Sequence, residues 1–234
     1  MSVVMRLSVV LVLALGLVGV GVVGAQEEEG AGEIAVGIVW VGDEVEGSVE
    51  GCFSPAFLGD VARQTEIAVT RELVAVGLDD EALFDHPFVV LTGQGAWALS
   101  DEQREALGRF VEGGGFVLAS ARCGDEAWGE SMREAVGGLF EAGEDEPAAE
   151  LEALAMDHAV FSALYAVEHV RVREGDASGE LYGLERDGQL TMLFSPQGLN
   201  DGRNMGVGCR CCDGSGVRNA RAINANALVY ALTH

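Results

Sequence analysis

The chain of 234 residues contains no lysine: all 14 of its basic residues are arginine, set against 38 aspartates and glutamates, for a formal net charge of −24. A chain this acidic is repelled by phosphate backbones and by anionic lipid, which excludes a nucleic-acid partner. A solvated surface suited to a salty medium accounts for the acids. Calcium capture at Glu27–Glu29 and Glu141–Glu146 is the sharper alternative, but neither cluster has the Asp-x-Asp-x-Asp-Gly spacing of a calcium loop. The four histidines include no pair spaced as metal ligands on a helix. No internal repeat is visible. After the first apolar stretch no segment is apolar for long enough to cross a bilayer.

That first stretch is a leader. Arg6 is the only charge before the apolar run Leu7–Val23, and Val23-Gly24-Ala25 fits a small-residue cleavage site before Gln26. No cysteine opens the mature chain, which argues against a bacterial lipid anchor. The run is long for a signal core, so an uncleaved N-terminal anchor stays open as the alternative to export into the periplasm or medium. The expected organisation is a signal peptide over residues 1–25, an acidic linker over 26–33, and one α/β domain over 34–234. That is room for a single core of ordinary size.

The most telling stretch runs from Pro87 to Asp125. Two apolar runs, Phe88–Thr92 and Phe116–Ala119, flank an amphipathic helix whose Ser100 and Gln103 form a capping box. Ala106, Leu107, Phe110 and Val111 give that helix one apolar face, and Gly113 is its expected left-handed stop. Two uninterrupted apolar strands joined by a crossover helix imply a parallel sheet covered on both faces. In such sheets ligands bind at the carboxyl ends of strands, which here carry Gly93-Gln94-Gly95 and Ser120–Asp125. Gly93, Gln94, Gly95, Ser120 and Gly124 are therefore the candidate ligand-binding residues.

Around this unit, Ile34–Val41 reads as a buried strand and a helix opens near Ser54-Pro55. Ile67–Thr70 reads as a second strand, and Asp79–Phe84 as a short helical turn before His86. Asp125 is placed to cap a helix over Glu126–Phe140. The later chain changes character. Val170–Arg173, Leu181–Leu184 and Leu190–Phe194 look like short strands, the last two joined by an Asp187-Gly188 hairpin turn. A glycine-rich, cysteine-bearing loop and a closing helix over about Val217–Leu232 follow. The whole predicts a three-layer α/β sandwich on a mainly parallel sheet with a β-rich C-terminal extension.

The five cysteines, Cys52, Cys123, Cys209, Cys211 and Cys212, each follow a predicted strand, so all should lie toward one edge of the sheet. Export makes disulfides the default, and an odd count leaves at least one unpaired. A zinc or copper thiolate site at Cys209, Cys211 and Cys212 is the alternative; otherwise no cofactor is implied. Asp157-His158 admits two readings. Asp157 orients His158 as a base or metal ligand, or it caps the turn entering Ala159–Leu164 with His158 packed against it.

Several motifs in order, Arg63-Gln64-Thr65, Pro87–Gly95, Leu99–Glu105, Gly114-Gly115-Phe116, Gly124, Asp157-His158 with Phe161 and Tyr165, Asp187–Leu190 and Ala227–His234, carry a resemblance. The chain resembles the bacterial family known as domain of unknown function 4159, itself similar to the class I glutamine amidotransferase-like, flavodoxin-type fold. The resemblance covers most of residues 34–234. It implies that fold, association with the cell envelope, and no established activity. The family pattern carries His where this chain has Gln94, and a pair of acids where it has Ser120-Ala121. Amidotransferase chemistry needs a cysteine on the turn straight after the strand and a histidine beside it. Counting from Gly114-Gly115, that position falls on Ala121, which leaves Cys123 a weak candidate, and no His-x-Glu pair follows.

Two functions are compatible with these residues. One is an exported, non-catalytic module that binds a small ligand or an envelope protein. The other is a hydrolase-type enzyme using Asp157, His158 and a cysteine or metal. A pocket uniting Gln94, Ser120, Cys123 and His158 would favour the enzyme, and dispersed positions the binding module.

Overall fold

A strand such as Phe88–Leu91, apolar at every position, is stable only where both faces are covered. A computed structural model, which describes residues 32–43, 53–140, 148–172, 178–201 and 216–234, shows how this is met. In chain order the elements are β1 (Ile34–Gly42), α1 (Ala56–Gln64), β2 (Val69–Ala75), β3 (Phe88–Gln94), α2 (Asp101–Glu112), β4 (Phe116–Ala121), α3 (Glu126–Gly137), β5 (Glu152–Ala153), β6 (Tyr182–Arg186), β7 (Gln189–Ser195) and α4 (Ala220–Thr233). Short 3-10 turns occupy Glu81–Asp85, Arg122–Gly124 and Ala159–Phe161.

The strands form one sheet in the order β2-β1-β3-β4-β7-β6-β5. β2, β1, β3, β4 and β7 are parallel, whereas β6 runs antiparallel to β7 and β5 antiparallel to β6. The parallel five follow the flavodoxin-like order, with β7 in the fifth place. The expected α/β sandwich is therefore present, and the β-rich extension is β5–β7.

Alternate residues serve opposite faces. Val36, Ile38, Phe88, Val90 and Leu118 join Phe57 and Leu58 of α1 and Ile223 and Leu228 of α4 in one core. Val39, Val89, Leu91, Val117 and Ala119 join Leu107 and Phe110 of α2 and Trp128 and Met132 of α3 in the other. Each such side chain contributes about 2 kcal/mol on burial. A helix cap is worth about 1 kcal/mol. Burial thus holds the layers together, and the caps decide where helices begin.

Local signals are realised closely. Ser100 Oγ accepts the Gln103 N–H at 3.2 Å and Gln103 Oε1 accepts the Ser100 N–H at 3.1 Å. Asp125 caps α3 by accepting the Trp128 N–H at 2.9 Å. Asp187 and Gly188 take φ of 53° and 78°, the primed turn that matches hairpin twist.

Four boundaries differ from the sequence reading. The left-handed residue after α2 is Gly114 (φ 89°), not Gly113, and Gly115 N–H closes the turn onto Phe110 O at 2.8 Å. β2 starts at Val69 rather than Ile67, and α3 ends at Gly137 rather than Phe140. Around Val170, among the described residues, Arg171 and Val172 make isolated bridges, to Ser178 and Val217, rather than a strand. Gly32–His234 constitute one compact unit.

Candidate functional site

The carboxyl ends of β1, β3, β4 and β7 meet at one edge. Gly93 and Gly95 are required by packing: a Cβ at Gly93 would collide with the Val41 carbonyl, and one at Gly95, where φ is 72°, with the Asp43 carboxylate. Asp125 ties the two strand-end turns together, since one oxygen caps α3 while the other accepts the Gly95 N–H at 3.1 Å. Gln94 Oε1 accepts from Arg122 Nη1 at 2.8 Å, and the same guanidinium lies 5.3 Å from the centre of the Trp40 ring. Arg122 is only 5% exposed.

Ser120 is also engaged. Its carbonyl accepts the Thr92 hydroxyl at 2.8 Å, and its Oγ accepts the Leu199 N–H at 2.8 Å. Ser120 and its register partner Ser195 thus sit at the base of the loop after β7. Asn224 of α4 donates to Leu199 O at 2.8 Å and completes that base. Gly124 (φ 71°) lies against the Pro196 and Gln197 carbonyls in the same region. Gly93, Gln94, Gly95, Ser120 and Gly124 are therefore brought to one edge, as the topology requires, with their polar groups committed to one another and to neighbouring backbone.

The turn after β4 corrects the elbow position. Ala121 is extended (φ −60°, ψ 124°) and fully buried, whereas the left-handed residue is Cys123 (φ 56°, ψ 20°). Cys123 is not without a partner. Cys52, Cys209, Cys211 and Cys212 lie outside the described residues, as do the leader, most of the acidic linker and the 141–146 acid cluster.

Asp157 and His158 lie elsewhere. His158 faces Glu185, its Nε2 3.6 Å from Oε1, and Glu185 pairs with Leu190 near the amino end of β7. Ser195 lies five steps along β7 from Leu190, roughly 16 Å along the strand. His158, not Asp157, caps the Ala159–Phe161 turn: its Nδ1 accepts the Val160 N–H at 3.1 Å. The ring rests against Tyr230 at 5.5 Å. The Nδ1 of His158 is thus taken up by the backbone of the turn it caps.

Asp157 and His158 line a cleft of about 630 Å³ along the outer edge of the sheet, with Glu150, Glu152, Glu185 and Arg186. Alanines and Leu154 supply its apolar surface. The remaining histidines are at neither place. His86 is buried at the amino end of β3 with Nδ1 3.0 Å from Ala35 O, His169 is exposed, and His234 stacks on Tyr230 at 4.4 Å. Among the described residues no three His, Cys, Asp or Glu side chains converge as metal ligands, and no helix is long and apolar enough to cross a membrane.

Sequence reasoning missed Arg122, Asp43 and the cleft acids. Arg122 directly follows an apolar strand and looks like a turn residue; only the packing of Trp40 and Gln94 around it reveals a buried cation. Glu150, Glu152 and Glu185 carry no motif.

The fold defines an α/β sandwich of flavodoxin-like strand order, with a cleft along its β-rich edge. The chain belongs to the family described as Domain of unknown function (DUF4159), whose model matches residues 53–232. No curated protein matches it.

Proposed function

We propose that this chain is an exported, non-catalytic binding module of the bacterial cell envelope, taking a small ligand or a partner protein in the periplasm or outside the cell. The observation that carries the reading is separation. Gln94, Ser120 and Cys123 stand at the carboxyl edge, while Asp157 and His158 stand by the amino end of β7. The Nδ1 of His158 is engaged by the Val160 N–H, away from that edge. Arg6, the apolar run and Ala25 support export, with mature protein starting near Gln26.

One observation favours the hydrolase alternative: Cys123 occupies the strained turn between β4 and α3, the place where nucleophiles of related α/β enzymes stand. Covalent catalysis there needs a thiolate and an adjacent base. Cys123 is already engaged, and among the described residues no histidine lies at that edge. Purified mature protein should therefore release no ammonia from glutamine above buffer rates. Glutaminase activity abolished by Cys123→Ser, at unchanged melting temperature, would overturn the non-catalytic reading.

A further inference from the structure

We propose that a recess at the amino end of β3 binds a small neutral phenol, whose hydroxyl donates to Nε2 of His86. The inference rests on the reading of the chain as a binding module and names the chemistry of its ligand. The recess, of about 230 Å³, lies between the turn before β3 and the end of α2, with Phe84, His86, Pro87, Phe110 and Gly113–Gly115 around it. An apolar cavity of about 150 Å³ already admits one aromatic ring. This recess therefore has room for a single ring and falls short of the span that holds larger ligands.

His86 supplies the polar anchor. It is 6% exposed, and its Nδ1 stands 3.0 Å from the Ala35 carbonyl oxygen. A carbonyl can only accept, so Nδ1 carries the hydrogen and the neutral ring keeps its lone pair on Nε2. Among the described residues no group donates to that nitrogen. A buried acceptor left without a donor is costly, and a ligand hydroxyl relieves that cost.

The backbone around the recess has its donors committed. The N–H groups of Gly113, Gly114, Gly115 and Phe116 go to the carbonyls of Arg109, Val111, Phe110 and Pro87, and that of His86 to Leu83. Pro87 has none. The ligand must bring the hydrogen, which excludes an anion. No carboxylate lines the recess to attract a cation, and the Arg109 guanidinium, 5.0 Å from the centre of the Phe84 ring, repels one. What remains is a neutral donor on an apolar body. The Phe84 and Phe110 rings, tilted at 59° with centres 6.4 Å apart, favour an aromatic one. Phe84 is 44% exposed, an apolar surface that a bound ring would cover.

Phenol is the probe. Titration of the mature protein followed by NMR should show saturable binding in the millimolar range, with the His86 Nε2 resonance moving and that of His158 in place. Toluene, of the same size but without a donor, should bind about fivefold more weakly. Phe84→Ala removes a half-exposed wall and should weaken phenol about fivefold. His86→Phe should reduce phenol to the affinity of toluene; if that variant does not fold, Phe84→Ala and the toluene comparison decide. Met156→Ala, which removes an exposed apolar side chain that does not line the recess, should leave binding unchanged. Absence of saturation, toluene binding as tightly as phenol, or an equal loss in Met156→Ala overturns the proposal. Mass analysis of the recovered probe keeps the two readings apart. Intact but unbound phenol counts against this inference alone, whereas chemically altered phenol counts against the non-catalytic reading.

Discussion

Gln94 and Arg122 are joined at the strand-end edge: the Arg122 Nη1 donates to Gln94 Oε1 at 2.8 Å, with the guanidinium beside the Trp40 ring. The residue at the centre of the Gly-x-Gly turn is here an acceptor for a buried cation. A buried charge that loses a hydrogen-bond acceptor costs about 1–3 kcal/mol. Gln94→Leu keeps the volume and removes the oxygen. We expect it to lower unfolding free energy in urea by about 2 kcal/mol. An unchanged midpoint would show that Gln94 does not stabilise Arg122.

The role of His158 is open to a similar test. If its work is to cap the turn, His158→Ala should cost about 1 kcal/mol, and His158→Asn, a better cap, should recover most of it. A catalytic imidazole would behave differently, since asparagine restores a cap and not a base. Parallel urea melts of the three proteins decide between the roles; equal losses in both variants would refute the cap.

Cys123 is expected to form a disulfide with Cys52 or with one of Cys209, Cys211 and Cys212 in protein taken from an oxidising compartment. The closed loop is long whichever partner is used, so reduction should lower stability by about 2–4 kcal/mol. Mass mapping of unreduced peptides identifies the pair. Five free thiols, or stoichiometric zinc or copper with protected thiols, would end the disulfide claim.

Alkaline pH should expose the contact between α1 and the segment that follows the Ala159–Phe161 turn. Burial, and next the Asp60 carboxylate, push the Tyr165 phenol above its ordinary value of 10.0. An acid whose folded-state pKa is raised holds its proton more tightly when folded. Its contribution is present below the unfolded value and is lost as pH rises through the folded one. Wild-type stability should accordingly fall above pH 10, and Tyr165→Phe should fall less steeply over the same range. Identical pH profiles for the two proteins would refute the assignment.

Asp60 is the hub of that region. It accepts from Arg221 Nε and Nη2, both at 2.5 Å, and from Arg63, joining α1 to α4 across 161 positions of sequence. Asp60→Asn keeps the shape and removes the charge, and should destabilise by about 2 kcal/mol after allowance for the half-buried Arg221. A melting temperature unchanged by this substitution would mean that the ion pair adds nothing to the α1–α4 contact.

What the sequence determined by itself is whatever depends on neighbours three or four positions apart or on uninterrupted burial. The Ser100–Gln103 box, the Asp125 cap, the Asp187-Gly188 turn and the apolar runs of β1, β3 and β4 were all legible, because each is a local hydrogen bond or a strand apolar on both sides. The same reasoning brought Gly93–Gly95 and Ser120 to one edge, since parallel strands joined by helices align their carboxyl ends. Tertiary structure alone decided that β7 inserts beside β4, with β6 and β5 outside it, for the pairing of late strands turns on packing between distant segments. That choice carried Asp157 and His158 to the far end of the sheet and created the acidic cleft. It also fixed the use of each polar group. Whether His158 is a base or a cap, and whether Arg122 faces solvent or Gln94, depends on atoms distant in sequence, and no spacing along the chain records them.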